Sequence, residues 1–222
     1  VGGSAPPTIE DLRQLIPIAR QSQARMVTRE DVLSRLYTMP AQFGRVFRAS
    51  IGPNPQNPLS AILYVISLDG DGNMATAPDT LKKNLSKYLN EFRLISDAID
   101  ILDAQVVNYG VKYSVIVHQD ANKTQVIQSI NSNIADILQR KYFQIDQPLV
   151  LDDITNIIIN SDSVISLTDL RVYPIVGTIE ERVYSSTTFP FGRSTKNGII
   201  FGPPGAIFEL KFPEFDIIGA AT

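Results

Sequence analysis

The polar–apolar pattern of this 222-residue chain changes period several times, and each change marks an element. Leu12, Leu15 and Ile16 follow a Thr8-x-x-Asp11 start signal and predict a first helix, which Pro17 interrupts or kinks. A second start signal is sharper. Thr28 and Asp31 have the spacing of a capping box, in which the hydroxyl accepts from the Asp31 amide and the carboxylate from the Thr28 amide. Val27 and Val32 flank it as a predicted hydrophobic staple. The helix runs from about Arg29 to Tyr37 and stops at Met39-Pro40, because the residue before a proline is pushed out of the α region. A strand follows from about Arg45 to Ile51. The stretch Gly52 to Pro58 holds Pro53, Pro55 and Pro58, which cannot donate to a ladder and predict a loop. Ala61 to Leu68 then reads as a buried strand.

Leu81, Leu85, Tyr88, Leu89, Phe92 and Ile95 recur at helical period on one face, behind Pro78 and Asp79 in the first turn. Ala104 to Asn108 predicts a strand that Tyr109-Gly110 breaks. Val111, Tyr113, Val115 and Val117 next alternate with Lys112, Ser114, Ile116 and His118, the period of a half-buried strand. Val126, Ile127, Ile130, Ile134, Ile137 and Leu138 restore the helical period. A shorter helix is expected near Leu151 to Ile159, and strands near Val164 to Leu167 and Leu170 to Ile175.

The fold class this predicts is α+β. Its expected parts are a helical amino-terminal segment over 1–40, a small α/β sandwich over 41–109, a second over 110–177, and an extended β-rich tail over 178–222. The tail differs in kind from the rest. Phe208, Leu210 and Phe212 share one face with Glu209 and Lys211 on the other, and no helix follows to cover them. Such an arm must pack on the body of the protein or on a partner. Phe189, Phe191, Phe208, Leu210 and Phe212, together with the amino-terminal helical segment, are therefore the candidate interface residues.

Composition narrows the function. A hydrophobic content of 44% is enough for real cores. Charged residues are 19%, below the usual quarter, which predicts a surface partly neutral or covered by partners. A net charge of −3 argues against nucleic acid, which calls for a basic field. With no cysteine, disulfides, thiolate zinc sites and cysteine nucleophiles are excluded together. No apolar run approaches the roughly 20 residues that span a bilayer. Val1-Gly2-Gly3-Ser4 lacks the pattern of a signal peptide, and the missing initiator methionine suggests a fragment or processed product.

Candidate chemistry is sparse. Asp69-Gly70-Asp71-Gly72-Asn73 matches the first half of an EF-hand loop, but Met74 and Thr80 stand where the glycine and the bidentate glutamate belong, so a polar turn is expected. Asp97, Asp100 and Asp103 straddle a helix end and a strand start and need not converge. Asp152-Asp153 suits the first turn of a helix, where negative charge is favoured. His118 is the sole histidine, and no G-x-S-x-G elbow accompanies it. Gly202-Pro203-Pro204-Gly205 lacks the amide donors of a phosphate loop and predicts a rigid turn. Arg20, Arg25, Arg29, Arg35, Arg45 and Arg48 give the amino-terminal third a basic bias, which Glu30, Asp31 and the acidic total turn towards protein contacts. No catalytic, cofactor-binding or metal residue is assigned.

The order of these segments resembles a known family. PIARQSQARMVTREDV, FGRVFRA, AILYVISLDG, LKKNLSKYLNEFRLISD, ILDAQVVNYGVKYSVIV, FQIDQPLVLDDI and FELKFPEFDI follow one another as in the carboxy-terminal part of the baseplate wedge subunit of large contractile-tailed, T-even-type phages. That subunit belongs to the baseplate J-like family. The resemblance covers about Ala5 to Ile218, with R-x-V-T-x-E-D, VVNYGV and IDQPL its most telling pieces. It implies a non-enzymatic virion protein, without metal or cofactor, that pairs with its own copies. Neighbouring wedges would be joined into a ring that relays host contact to sheath contraction. Its place would be the tail baseplate, assembled in the host cytoplasm, with other wedge proteins as partners and no nucleic acid, membrane or small-molecule substrate. The alternatives are a carbohydrate-binding or carbohydrate-cleaving module of a phage tail, which would need two convergent carboxylates and aromatic platforms, and a generic α/β ligand-binding domain.

Overall fold

A computed structural model describes residues 26–70, 72–92, 98–138 and 143–222, with Ile9 and Arg13. The expected first helix with its Thr8–Asp11 signal, and also Asp71, Ile95 and Asp97, lie outside the described residues. The fold is α+β, and the chain divides into two units, Val1–Ala104 and Gln105–Thr222.

In the first unit the expected capping box forms. The Thr28 amide donates to Asp31 Oδ2 at 2.9 Å, and the Asp31 amide donates to Thr28 Oγ1 at 3.1 Å. A second amide, from Val27, reaches the same carboxylate at 3.1 Å. These backbone bonds, that from Thr28 first, hold the Asp31 carboxyl below its ordinary range. They start helix α1 (Arg29–Tyr37). The staple differs from expectation: Val27 is 64% exposed, and Met26, one residue earlier, is the side chain buried with Val32.

Strand β1 (Arg48–Pro53) pairs antiparallel with β2 (Ser60–Leu68), and the short β3 (Met74–Ala75) pairs with the end of β2. Helix α2 (Asp79–Asn90) leads to β4 (Ala98–Asp103), which lies parallel to β2. This is a strand–helix–strand crossover beside a hairpin. Leu81, Leu85, Tyr88 and Leu89 of α2 join Val32 and Leu36 of α1 in one core with Ala49, Leu63 and Val65 of the sheet. The stripe read from the sequence is therefore the buried face. Tyr37 ties α1 to the sheet by accepting from the Ala49 amide at 2.9 Å.

The second unit is organised by β5, which runs unbroken from Gln105 to Val117. The expected break at Tyr109-Gly110 does not occur. Gly110 serves close packing instead, because a Cβ there would collide with the Tyr173 ring and sit 2.8 Å from the Asp216 carbonyl. The division of the chain accordingly falls at Ala104–Gln105 and not at 109–110. Val111, Tyr113, Val115 and Val117 form the buried face, as their alternation predicts. Helix α3 (Lys123–Ile137), capped by Asn122, contributes buried Ile130 and Ile134. After β6 (Leu149–Val150), helix α4 (Leu151–Ile159) adds Ile154 and Ile158. The two predicted strands over 164–175 are one, β7 (Val164–Pro174), which pairs antiparallel with β5 through two register shifts.

The tail completes the second unit. It contains the hairpin β8 (Thr178–Ile179) and β9 (Arg182–Val183), a helical turn α5 (Phe191–Ser194), and the hairpin β10 (Thr195–Lys196) and β11 (Ile199–Ile200). Beyond them lie β12 (Ala206–Glu209), the turn α6 (Pro213–Asp216) and β13 (Ile217–Ala221). Strand β11 pairs with β6, and β12 and β13 lie parallel to β5 one after the other. The expected separate arm over 178–222 is thus part of the second unit's sheets. Among the described residues no helix is long and apolar enough to cross a membrane.

Replacing Thr28 with Ala removes one cap bond and should cost about 1 kcal/mol of stability in the first unit, read as a lower urea midpoint. Asp31 adds a pH signature. A carboxyl held below its ordinary value of 3.8 contributes stability that is complete above that value and lost as pH falls through the folded one. The stability gap between wild type and Asp31→Asn should therefore close on acidification below pH 3.8.

Candidate assembly site

The seam between β5 and the tail is built from the two motifs nearest it, VVNYGV and IDQPL. Asn108 is buried, and the oxygen and nitrogen of its side-chain amide face different segments. Its Oδ1 accepts from the Ser185 amide at 2.7 Å, and its Nδ2 donates to Glu209 Oε2 on β12 at 2.8 Å. Ser185 also donates its hydroxyl to the Val106 carbonyl at 2.5 Å. On the IDQPL side, Asp146 takes a left-handed φ of 65° and clamps the turn ahead of β12. Its Oδ1 accepts from the Gly205 amide at 2.6 Å, and its own amide donates to the Ala206 carbonyl at 2.8 Å. Gly202-Pro203-Pro204-Gly205 is the rigid turn the prolines predict.

Farther along, Asp216 is buried and accepts from the Tyr184 hydroxyl at 2.6 Å and the Phe212 amide at 2.8 Å. Burial pushes its carboxyl up, against the opposing pull of these donors and of the Arg182 charge. The Tyr184 hydroxyl is pushed up to about 12, first by burial and then by Asp216.

The candidate interface residues lie on the inside of this seam. The Phe208 ring is 5.6 Å from Phe189, 5.9 Å from Phe191 and 6.3 Å from Tyr109. Phe189 and Phe191 meet edge-on at 4.9 Å. Phe189, Phe191, Phe208 and Leu210 are all buried within the chain, while Phe212 is half-buried and edge-on to Tyr184 at 5.3 Å. The tail packs on the body of the protein, and these rings form its own core. The hydroxyl of Tyr109 is enclosed with them and finds no hydrogen-bond partner among the described residues.

The polar groups flagged in the sequence are dispersed. Asp69 accepts from the Asn73 amide at 2.7 Å and closes a turn before β3. Asp100 accepts from Asn54 at 3.0 Å and Ser60 at 3.2 Å. Asp103, three residues on and so on the other face of the strand, pairs with Lys82 at 2.9 Å. Asp152 and Asp153 occupy the first turn of α4, and His118 is exposed just beyond β5. Among the described residues no three His, Cys, Asp or Glu side chains gather into a possible metal site. A groove of about 550 Å³ between α3 and α4 is lined by Asp136 and Asp153 with Asn133, Asn156 and Asn160, and among the described residues no aromatic ring lines it. In the first unit a smaller groove of about 300 Å³ lies between the start of α1 and the ends of β1 and β4.

A likeness to known proteins exists at the level of the fold. One chain of a cryo-EM structure titled "anti-feeding prophage (AFP) baseplate, 6-fold symmetrised" is similar over 100% of this chain, with a TM-score of 0.54 and 12% identity. This chain spans 43% of that chain's length. No protein-family profile and no curated protein matches the sequence.

The position of the aromatic cluster sets two expectations. Phe208→Ala should lower the stability of the chain by about 3–5 kcal/mol, with a melting temperature that falls equally at low and high protein concentration. An effect seen only at high concentration would return Phe208 to an interface role. Tyr109→Phe removes an unpaired buried hydroxyl and should leave the melting temperature unchanged or higher.

Proposed function

We propose that this chain is a structural protein of a contractile-tail baseplate, part of the wedge and of the inter-wedge ring. It holds the baseplate together and relays host contact to sheath contraction, and it acts through interfaces without catalysis. The observation that carries this proposal is the likeness of fold, over the whole chain, to a chain of the AFP baseplate. The ordered motifs that resemble the baseplate J-like family agree with it. Two of those motifs, VVNYGV and IDQPL, supply Asn108, Gly110 and Asp146 to the seam that fixes the tail. The partners are its own copies, in pairs and around the ring, and other wedge proteins. Contacts of the obligate class bury roughly 2,000 Å² or more. The tail contributes to them through exposed Phe215 and Ile218 beside half-buried Phe212, while Phe189, Phe191, Phe208 and Leu210 hold it in shape.

The test is location. In tail particles purified from cells that make this chain, antibody labelling in electron micrographs should mark the baseplate end of the tail, at a fixed number of copies per particle. A chain recovered only outside particles would overturn the proposal.

A further inference from the structure

A tight hairpin turn with both central residues left-handed occurs twice in the second unit. Between β10 and β11 the residues are Asn197 and Gly198, with φ of 50° and 75°, the chemistry this turn favours. Between β8 and β9 they are Glu180 and Glu181, with φ of 46° and 67°. Glutamate disfavours that conformation, and a conformation held against local preference at an exposed tip points to a task for the tip.

The β8–β9 hairpin pairs with no other strand among the described residues. Its base is fixed all the same. The Arg182 guanidinium sits 3.8 Å over the Phe215 ring, and Lys211 Nζ donates to the Val183 carbonyl at 2.7 Å. One apolar side chain on each of its sides stays exposed. Ile179 lies opposite Arg182 and Thr178 opposite Val183, so Ile179 and Val183 point to opposite faces. They are 46% and 59% exposed. A finger apolar on both sides and acidic at its tip suits a cleft, since a flat surface would cover one side only.

The first unit carries a cleft of matching chemistry. The groove of about 300 Å³ is lined by Val27, Val32, Ile51, Leu59 and Ile99, and Leu59 is 79% exposed. Arg29, also exposed, is the one charged residue lining it among the described residues. We propose that the β8–β9 hairpin of one copy inserts into this groove on a second copy, with Glu181 facing Arg29. Glu180 is already held by Arg182 at 2.6 Å, which leaves Glu181 for the contact. A second copy is the occupant because one chain carries both halves of the match, a half-apolar cleft with a single cation among its described lining residues and a finger with exposed apolar side chains and a carboxylate tip. The two surfaces differ, so the contact is heterologous and propagates into a ring or a filament. This contact rests on the self-assembly in the function proposed above, and names the surfaces that perform it.

Sedimentation velocity on the full chain across a concentration series tests it. Wild type should associate reversibly. Arg29→Glu and Glu181→Arg should each weaken association roughly tenfold, and mixing the charge-exchanged partners in one double variant should restore it. Circular dichroism melts should match wild type, since both side chains are exposed. The chain has no cysteine, which gives a second measurement. Ile179→Cys and Leu59→Cys chains, mixed and oxidised, should cross-link to each other more than either does to itself. A wild type that stays monomeric, single variants that associate as tightly as wild type, or a double variant that is not restored would overturn the pairing. Particle labelling decides the baseplate role separately, so either idea can fail while the other stands.

Discussion

The second unit depends on one constraint: β5 is a central strand, and both its edges must find hydrogen-bond partners. One edge is taken by β7. The other is filled in two pieces, β12 along its first part and β13 along its second. Parallel strands beside β5 must be reached by crossover connections, and this explains why the tail is so firmly tied at its turns. Asp146 fixes the approach to β12, Asn108 fixes β12 itself, and Asp216 fixes the turn between the two strands. Each is a polar side chain satisfying backbone or side-chain groups that the interrupted ladder leaves over.

That arrangement also accounts for the aromatic core. Where β12 meets β5, Phe208 is carried onto Tyr109, and the loop before it brings Phe189 and Phe191 against the same ring. The result is a buried aromatic cluster beside a buried polar seam. Sequence pattern alone shows Phe208, Leu210 and Phe212 as an apolar face in need of cover, without saying whose. The cover proves to be the chain's own.

Local signals were legible where the chemistry is local. Thr28 and Asp31 close their box through neighbours three residues apart, and the stripe from Leu81 to Leu89 is the buried face of α2. The Asn197-Gly198 pair is a local signal of the same kind, the residue chemistry of the tight turn that joins β10 to β11. Other features were hidden because their causes are distant in sequence. Gly110 looks like a strand breaker until Tyr173 is seen to lie against it. The turns that flank tail strands β12 and β13 do not announce parallel pairing with a strand at least 101 positions earlier. The β8–β9 finger was invisible for a different reason: its Glu-Glu turn contradicts the residue preferences by which hairpins are read.

The bond from Asn108 to Glu209 joins residues separated by 101 positions. During synthesis β5 therefore emerges long before the strands that close its second edge, and closing so large a loop is entropically slow. Until then the strand is held by β7 alone, with an open ladder and an unfinished aromatic core. A chain that lacks β12 and β13 thus leaves an unfinished sheet with an edge open to association. In this unit the fold is finished only when residues 206–221 take their places along β5.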